Sequence, residues 1–597
     1  MTTGDPGSKL RAHKAPGYVV EPVLEGPGRD WEGHHATNPC CIRLSRDPRV
    51  FLGYRAGGEA DRYCLYGSEV WSSHLGLAVL DPAGERVMHR LPLPIMTVEP
   101  PAPRPQTPEE FEAYQAGPHR DTISTLHDFH FWEDDGWLYV IYHEGTLAQV
   151  FDCIVRMPAE DFLERVERSI RLAGEPAGEL RSAWRRLWWD AGVWAPCGVD
   201  GTNRLYASPL NKNDIVFVRL TDGSLRALHR PVPDIAIVDM QGRTHFPTLP
   251  DGSSDFGVLQ SCIRPGRFDN SHIGNNGTPI RAWVGDTAVF VDAVHGVHNR
   301  QISDPQGEAK WRLTYLPYLR LLDAATGECL YYSEEPILDL DDTWDEYVRR
   351  GRWVSAIPHL DAVMFAGGQI EADAGRNGLD DLFHFYTGVG DTAVARASFR
   401  LRELLPKAVV EDIAARGEHR SHPCEWPAPA PLPFPAPLCG WDWSLEQDGV
   451  GRDLNIVRTL RREGRIETAR RRIGTRPGYF DADGITFDGH SLRLIEGLGW
   501  AVAYRGVRWT DGGSTVAGSG LLLLDVENPE RVLYRSEAPI AGTTGQASGR
   551  QASAGADPSA ELLAQAEELI PERVQIETRR IYELRPMPSD MTRWLRG

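Results

Sequence analysis

The chain has little positive charge for its size, no apolar run long enough to span a bilayer and no paired-cysteine motif. Lys and Arg number 64 against 84 Asp and Glu, a net charge of −20. Binding to nucleic acid needs a basic face, so no nucleic-acid partner is expected. A membrane-spanning helix needs about 20 consecutive apolar residues, and with none present no membrane partner is expected either. The opening residues MTTGDPGSKLRAHKAPG lack the apolar centre of a signal peptide, which makes a cytoplasmic location the expectation. Nine cysteines are scattered, with Cys40-Cys41 the one close pair and no C-x-x-C spacing. That pattern argues against a zinc site or a disulfide framework and for reduced, buried thiols. The glycine-rich stretches lack the strand-to-helix setting of phosphate loops, so no metal, nucleotide or flavin cofactor is expected.

What is abundant points to strands. The chain carries 59 Gly, 44 Pro and 18 Trp, a composition of short strands, turns and flat aromatic surfaces on which sugars can stack. At 597 residues, with 41% hydrophobic and 25% charged residues, it has the size for more than one globular domain. The segment LHDFHFWEDDGWLYVIY, from Leu126 to Tyr142, predicts a hairpin, because the Asp134-Asp135-Gly136 turn separates two β-rich runs. It places Asp128 between His127 and His130 at a strand end, where neighbouring imidazoles can tune a carboxyl for proton transfer. Further strands are predicted over Arg49 to Ala56, Asp214 to Leu228, Thr287 to Val294, Tyr315 to Leu322 and Leu382 to Tyr386. Only Glu160 to Leu172 reads clearly as a helix. Many strands with little helix predict an all-β fold of closed or radial form.

Four segments follow from composition. Residues 1–30 read as a flexible arm, 31–405 as the main β domain, 406–441 as a proline-rich linker and 442–597 as a β-rich C-terminal module ending in a helix near Ser559 to Ile570. The module repeats part of the main domain. Arg264-Pro265-Gly266-Arg267-Phe268-Asp269 returns as Arg476-Pro477-Gly478-Tyr479-Phe480-Asp481, and AVHGV at 293–297 returns as AYRGV at 503–507. LRLLDAATGECLYYSEEPI, ending at Ile337, likewise matches LLLLDVENPERVLYRSEAPI, ending at Ile540.

Several short motifs, in order from Asn38 to Phe399, carry a family resemblance. They are Asn38-Pro39 with Tyr54-Arg55-Ala56, then Leu75-Gly76-Leu77-Ala78, then His127-Asp128-Phe129-His130 ahead of its Asp-Gly hairpin. Leu228-His229-Arg230-Pro231, His272-Ile273-Gly274 with Pro279-Ile280, His295-Gly296-Val297 and the stretch Tyr386 to Thr392 complete the series. With these motifs the chain resembles glycoside hydrolase family 130, the mannoside phosphorylases and related mannosidases. The resemblance implies a five-bladed β-propeller, here followed by a β-rich extension containing a blade-like repeat.

It also implies roles. Asp128 would be the general acid. Tyr54, Arg55, His127, His130 and Asp391 would hold sugar hydroxyls. Lys212, Asn213, Arg230, His272 and His295 would form an anion or phosphate pocket. Two departures matter. His127 and His130 stand where the family carries glutamate and arginine, which suggests a different glycoside. His272 stands in place of a lysine, and an imidazole is only partly charged near neutral pH. Phosphorolysis needs one carboxylate and an anion pocket, whereas inverting hydrolysis needs a second carboxylate ~6.5–9.5 Å from the first. The loss of the lysine favours hydrolysis of a β-linked, mannoside-like sugar with inversion. Glu346, within TWDEYVRRG, is the first choice for the base, and Asp269 and Asp292 are others. The alternatives are phosphorolysis of a β-mannoside, with inorganic phosphate as co-substrate, and a carbohydrate-binding propeller without catalysis. An oligosaccharide or glycoside is the expected partner, and self-association into a homo-oligomer is compatible with the sequence.

Overall fold

The computed structural model describes residues 11–575, apart from internal stretches of which the longest are 207–213, 248–256, 349–359, 420–431, 434–441 and 541–561. Strands dominate, as the composition predicts. Three four-stranded antiparallel sheets follow one another along the chain. The first holds His35–Arg43, Val50–Gly57, His74–Leu80 and Val87–Arg90. The second holds Ile123–Asp134, Trp137–Thr146, Val150–Pro158 and Ala195–Pro196. The third holds Val216–Arg219, Leu225–His229, Ile235–Asp239 and Val258–Ser261.

A nine-stranded sheet comes next and has two antiparallel halves. One half centres on Thr287–Ser303 and Ala309–Asp323, the other on Leu360–Glu371, Leu382–Val389 and Ala393–Arg400. A short parallel pairing of Leu313–Tyr315 with Leu360–Val363 joins them.

Within the segment expected to be a free arm, residues 12–20 are tied to the fold. His13–Lys14 pairs antiparallel with Ala397 and Ser398, and Val20 bridges to Val394. Ala12 and Val20 are buried there, and apolar burial ties the segment down. The linker 406–441 also holds structure, since Lys407–His419 is a helix and Leu432–Pro433 pairs with Ser444 and Leu445. The predicted helix is present as Ala159–Leu172, and its buried Phe162 and Val166 pack against the first two sheets together with Trp184 and Trp188. Among the described residues, no helix is long and apolar enough to cross a membrane.

The repeat read from the sequence is a repeat of structure. His272–Asn275, Ile280–Val284, Thr287–Ser303, Ala309–Asp323 and Cys329–Tyr332 pair in the same order as Gly484–Thr486, Leu492–Ile495, Gly499–Thr510, Gly513–Leu524 and Val532–Arg535. Ser333 and Ser536 do the same work in each copy. Their hydroxyls accept from the backbone N–H of Leu319 at 3.1 Å and of Leu521 at 2.8 Å. A second sheet, Leu432–Pro433 through Arg465–Ile473, completes the C-terminal module. Arg508 to Asp412 at 2.8 Å, Arg267 to Glu537, and the Tyr479 hydroxyl to Glu334 tie the module to the rest.

Candidate active site

Two β-bulges begin the site. The pairing of His35–Arg43 with Val50–Gly57 slips between Thr37 and Cys40, and that of Ile123–Asp134 with Trp137–Thr146 slips between His127 and His130. A bulge re-aims the side chain it carries. Here the re-aimed residues are Asn38 and Asp128, at φ 41° and 49°. The Asn38 amide donates to Asp128 Oδ1 at 2.9 Å, with both residues buried.

Asp214 and Asp391 also have positive φ, 45° and 48°. Nine described non-glycine residues lie in this region of φ, and these four meet at one place. Asn and Asp tolerate the left-handed region best, and strain gathered at one place marks a functional constraint.

Strand register supplies the next layer. His127 lies opposite His143, and His143 opposite Asp152, so the three share one face across three strands. His143 Nε2 is 2.8 Å from Asp152 Oδ1, and its Nδ1 is 3.4 Å from Asp128 Oδ2. Burial works against the imidazolium, but Asp152 and then Asp128 outweigh it and lift the His143 pKa to about 9. His143 is therefore a buried cation at neutral pH, held between two carboxylates.

Asp214 enters just ahead of Val216–Arg219, and Arg230 just after Leu225–His229. Arg230 Nη1 lies 3.1 Å from Asp214 Oδ2 and 3.4 Å from His295 Nε2. His295 is fully buried, with Asn276 at its other nitrogen and the Phe365 ring centred 4.6 Å away. The His272 and Tyr315 rings stand 6.1 Å and 5.8 Å from that of His295. Burial above all pushes the Tyr315 hydroxyl up; Arg230 pulls it down, and Asp391, Asp214 and Asp128 push it up further. One phenol thus senses charges delivered by three of the sheets.

Gly274 is required at this point. A Cβ there would stand 2.6 Å from His295 Nε2 and 2.8 Å from Asp214 Oδ2. Gly274→Ala is expected to displace His295 and cut turnover at least 10-fold for an overpacking cost of about 1–3 kcal/mol. Paired kinetics and unfolding measurements check this, and unchanged kinetics would show that the imidazole position does not matter.

The structure sorts the residues predicted from sequence. Asp128, His127, Arg230, His272, His295 and Asp391 come together. Arg55 stands beside them, across from Thr37, and donates to Ser73 Oγ at 2.9 Å. His130 is buried opposite Ile141, one layer below His143 in the same sheet, and is not at the surface of the site.

Tyr54 is corrected. Strand alternation turns it away from Arg55 into the sheet interior, where its hydroxyl donates to Glu32 at 2.9 Å beside Arg90 and no substrate reaches it. Glu346 is corrected too. It lies exposed on the short helix Asp345–Val348, where its charge acts on Tyr18. Asp292 is spent in a buried ion pair with Arg320, and Asp269 is fully buried. Lys212 and Asn213 lie outside the described residues.

The sequence gives no site role to His143, Asp152, Asp214 or Tyr315, and marks Asn38 only as part of a motif. His143 could have been singled out, because continuing the alternation of Trp137, Tyr139 and Ile141 by one step places it on the face of His127.

Asp128, His143 and Asp214 each bring one nitrogen or oxygen atom within 4.8 Å of the others, all buried, but a protonated imidazole has no lone pair to offer, so the set does not fit a metal ion. The charged His143 already supplies positive charge there.

No protein-family model matches the chain, and no curated protein matches it. Solved structures do. One is the β-1,2-mannobiose phosphorylase of Listeria innocua in complex with β-1,2-mannobiose, at 15% identity and a TM-score of 0.40, covering 65% of this chain and 95% of that one. A glycosyl hydrolase from Bacteroides ovatus has the same identity and score, covering 66% and 95%. A mannose phosphorylase from Leishmania mexicana in complex with phosphate ion is 12% identical, with a TM-score of 0.33 and coverage of 65% and 89%.

Proposed function

We propose that this protein is a glycoside-cleaving enzyme that acts on a β-linked, mannoside-like sugar, with Asp128 protonating the departing oxygen. The observation that carries the reading is the charge pairing at the point where the sheets meet. Asp152 is matched by His143, and Asp214 by Arg230. Asp128 is then the odd one of the three fully buried carboxylates of the cluster, and a proton on it leaves that buried group electrically neutral. Burying an uncompensated charge is costly, so the proton belongs there. Two carboxyl groups with different partners, one held ionised and one able to carry a proton, divide acid from anion.

We read the first two sheets, the third sheet and the two halves of the nine-stranded sheet as five blades around this point. Each contributes at least one of Asn38, Asp128, Asp214, His295 and Asp391. His127 and Arg55, at the edge of the cluster, suit sugar hydroxyls.

Inverting hydrolysis is the preferred reaction. Arg230 is neutralised by Asp214 at 3.1 Å, which weakens its hold on an inorganic anion. Asp214 is unsuited to activate water, both because of that pairing and because it sits closer to Asp128 than the ~6.5–9.5 Å that inversion requires. With Glu346 elsewhere, Asp391 is the carboxylate left for the water. One observation favours phosphorolysis instead: Arg230, His272 and His295 stand together, a set able to take up phosphate. A screen of β-mannosides and other β-glycosides, with and without inorganic phosphate, decides between them. Free sugar released without phosphate supports hydrolysis, and a sugar 1-phosphate formed only with phosphate replaces it. No turnover of any glycoside in either condition would sink the enzymatic reading.

A further inference from the structure

His143 has no role in the reaction as described, yet each of its ring nitrogens faces a buried carboxylate. It is buried on a central strand, with Asp152 at 2.8 Å on one nitrogen and Asp128 at 3.4 Å on the other. The two contacts use opposite nitrogens, so the imidazole bridges two carboxylates from the strands on either side of its own. An ionised Asp152 fixes Nε2 as a donor, which leaves Nδ1 as the nitrogen that exchanges a proton with Asp128. The geometry points to a proton relay: Asp152 holds His143 so that its Nδ1 proton restores Asp128 after Asp128 has protonated the departing sugar oxygen. His143 is thus a positioning and proton-supplying residue that acts through Asp128.

The step balances. The O–H bond of Asp128 breaks as the new O–H bond forms on the leaving oxygen. The carboxylate so formed takes the Nδ1 proton at Oδ2, while Oδ1 stays bonded to the Asn38 amide. His143 becomes neutral with Nε2–H still donated to Asp152, and a solvent proton recharges Nδ1.

Among the described residues, the charged and titratable groups that face the imidazole are in keeping with this. On its own hairpin His127 stands with ring centroids 5.8 Å apart, and Asp128 lies beyond it. Asp152 comes from the next strand, and Asp214, with Arg230 behind it, comes from the third sheet. The neighbouring Glu144 points to the opposite face, where Asn203, the Tyr142 hydroxyl and Arg204 hold it.

The relay rests on Asp128 being the acid, and the test separates the two. Two probes are used, 4-nitrophenyl β-D-mannopyranoside, whose leaving group needs little protonation, and a β-linked mannobiose, whose leaving group needs it fully. His143→Gln and Asp152→Asn are compared with wild type across pH 5–10, a range spanning the ordinary histidine value of roughly 6.5. The expected result is a loss of about 10²-fold on mannobiose in His143→Gln, with a much smaller loss on the aryl glycoside. In Asp152→Asn the alkaline limb of the mannobiose profile should move down by at least one pH unit. Equal losses on both probes with an unmoved limb would overturn the relay and leave His143 a packing residue. If neither probe nor any other glycoside is turned over, the acid assignment fails, and the relay is judged by nitrogen-15 NMR of the histidines. A His143 signal that titrates near 9 and falls in both Asp152→Asn and Asp128→Asn supports proton sharing along the chain. An ordinary titration, untouched by either substitution, overturns it.

Discussion

Asp128→Asn is expected to abolish cleavage of an unactivated glycoside, with kcat/KM falling by about 10³-fold or more and the fold intact. The amide has the shape of the carboxyl and can still offer an oxygen to the Asn38 donor, 2.9 Å away in the native protein. It has no proton to give to a leaving oxygen. The bulge that holds the residue at φ 49° tolerates Asn as well as Asp, so no strain is added. The loss should be smaller on a 4-nitrophenyl glycoside, where the leaving group departs without help.

The substitution also removes one of the two carboxyl groups that face His143 and lift its pKa. With the His143 pKa lifted to about 9 in the native protein, its contribution to stability is complete below the unfolded value of about 6.5 and is lost as pH rises through 9. Asp128→Asn should shrink that loss, flattening the decline of the unfolding midpoint between pH 7 and 9. Full activity in the variant would remove Asp128 from the chemistry altogether.

Much of the scaffold was legible because local rules decide it. The Asp134-Asp135-Gly136 turn and its flanking alternation dictate a hairpin, and the structure has φ of 49° at Asp135 and 76° at Gly136. Matching serines, aspartates and glycines in two distant segments dictate the same pairing order twice.

The site was legible only where a motif touched it. Asp128 was found through its histidine neighbours. The motif sets Tyr54 beside Arg55, although adjacent residues of a strand face opposite ways, and only Arg55 faces the cluster. Sequence context alone points to Glu346, and it says nothing of where a four-residue helix will lie. Asp214 lies outside any period-2 pattern, since a left-handed residue just before a strand leaves no signature in hydropathy. Asp152 could not be seen at all without the register that sets it against His143, because a carboxylate every few residues is ordinary in a chain with 84 of them. Long-range pairing, not local preference, assembles the cluster.

The largest loss of stability is expected from Arg320→Met. Arg320 is fully buried, and its guanidinium donates to Asp292 Oδ2 from Nε at 3.0 Å and again from Nη2. Burial alone pushes the Asp292 carboxyl up, and Arg320 opposes it. Removing one member of such a pair strands the other in a medium that cannot solvate it, a cost of about 3–5 kcal/mol. Methionine fills much of the volume, so the measured loss should report the stranded carboxylate more than a cavity. Replacing both, with Asp292→Leu added, should recover most of the stability, because an apolar pair of similar size has no charge to bury.

Activity should not return with it. Arg320 Nη2 also donates to Asn275 Oδ1 at 2.8 Å, and Asn275 Nδ2 donates to the backbone carbonyl of Asp214 at 3.0 Å. Through that chain the buried pair sets the position of the carboxylate that neutralises Arg230. The double variant is therefore expected to unfold near the wild-type midpoint yet turn over substrate more slowly, as chemical unfolding and kinetics on the same preparation would show. Recovery of both together would mean that the pair serves the sheet alone and that Asp214 is held in place by its pairing with Arg230.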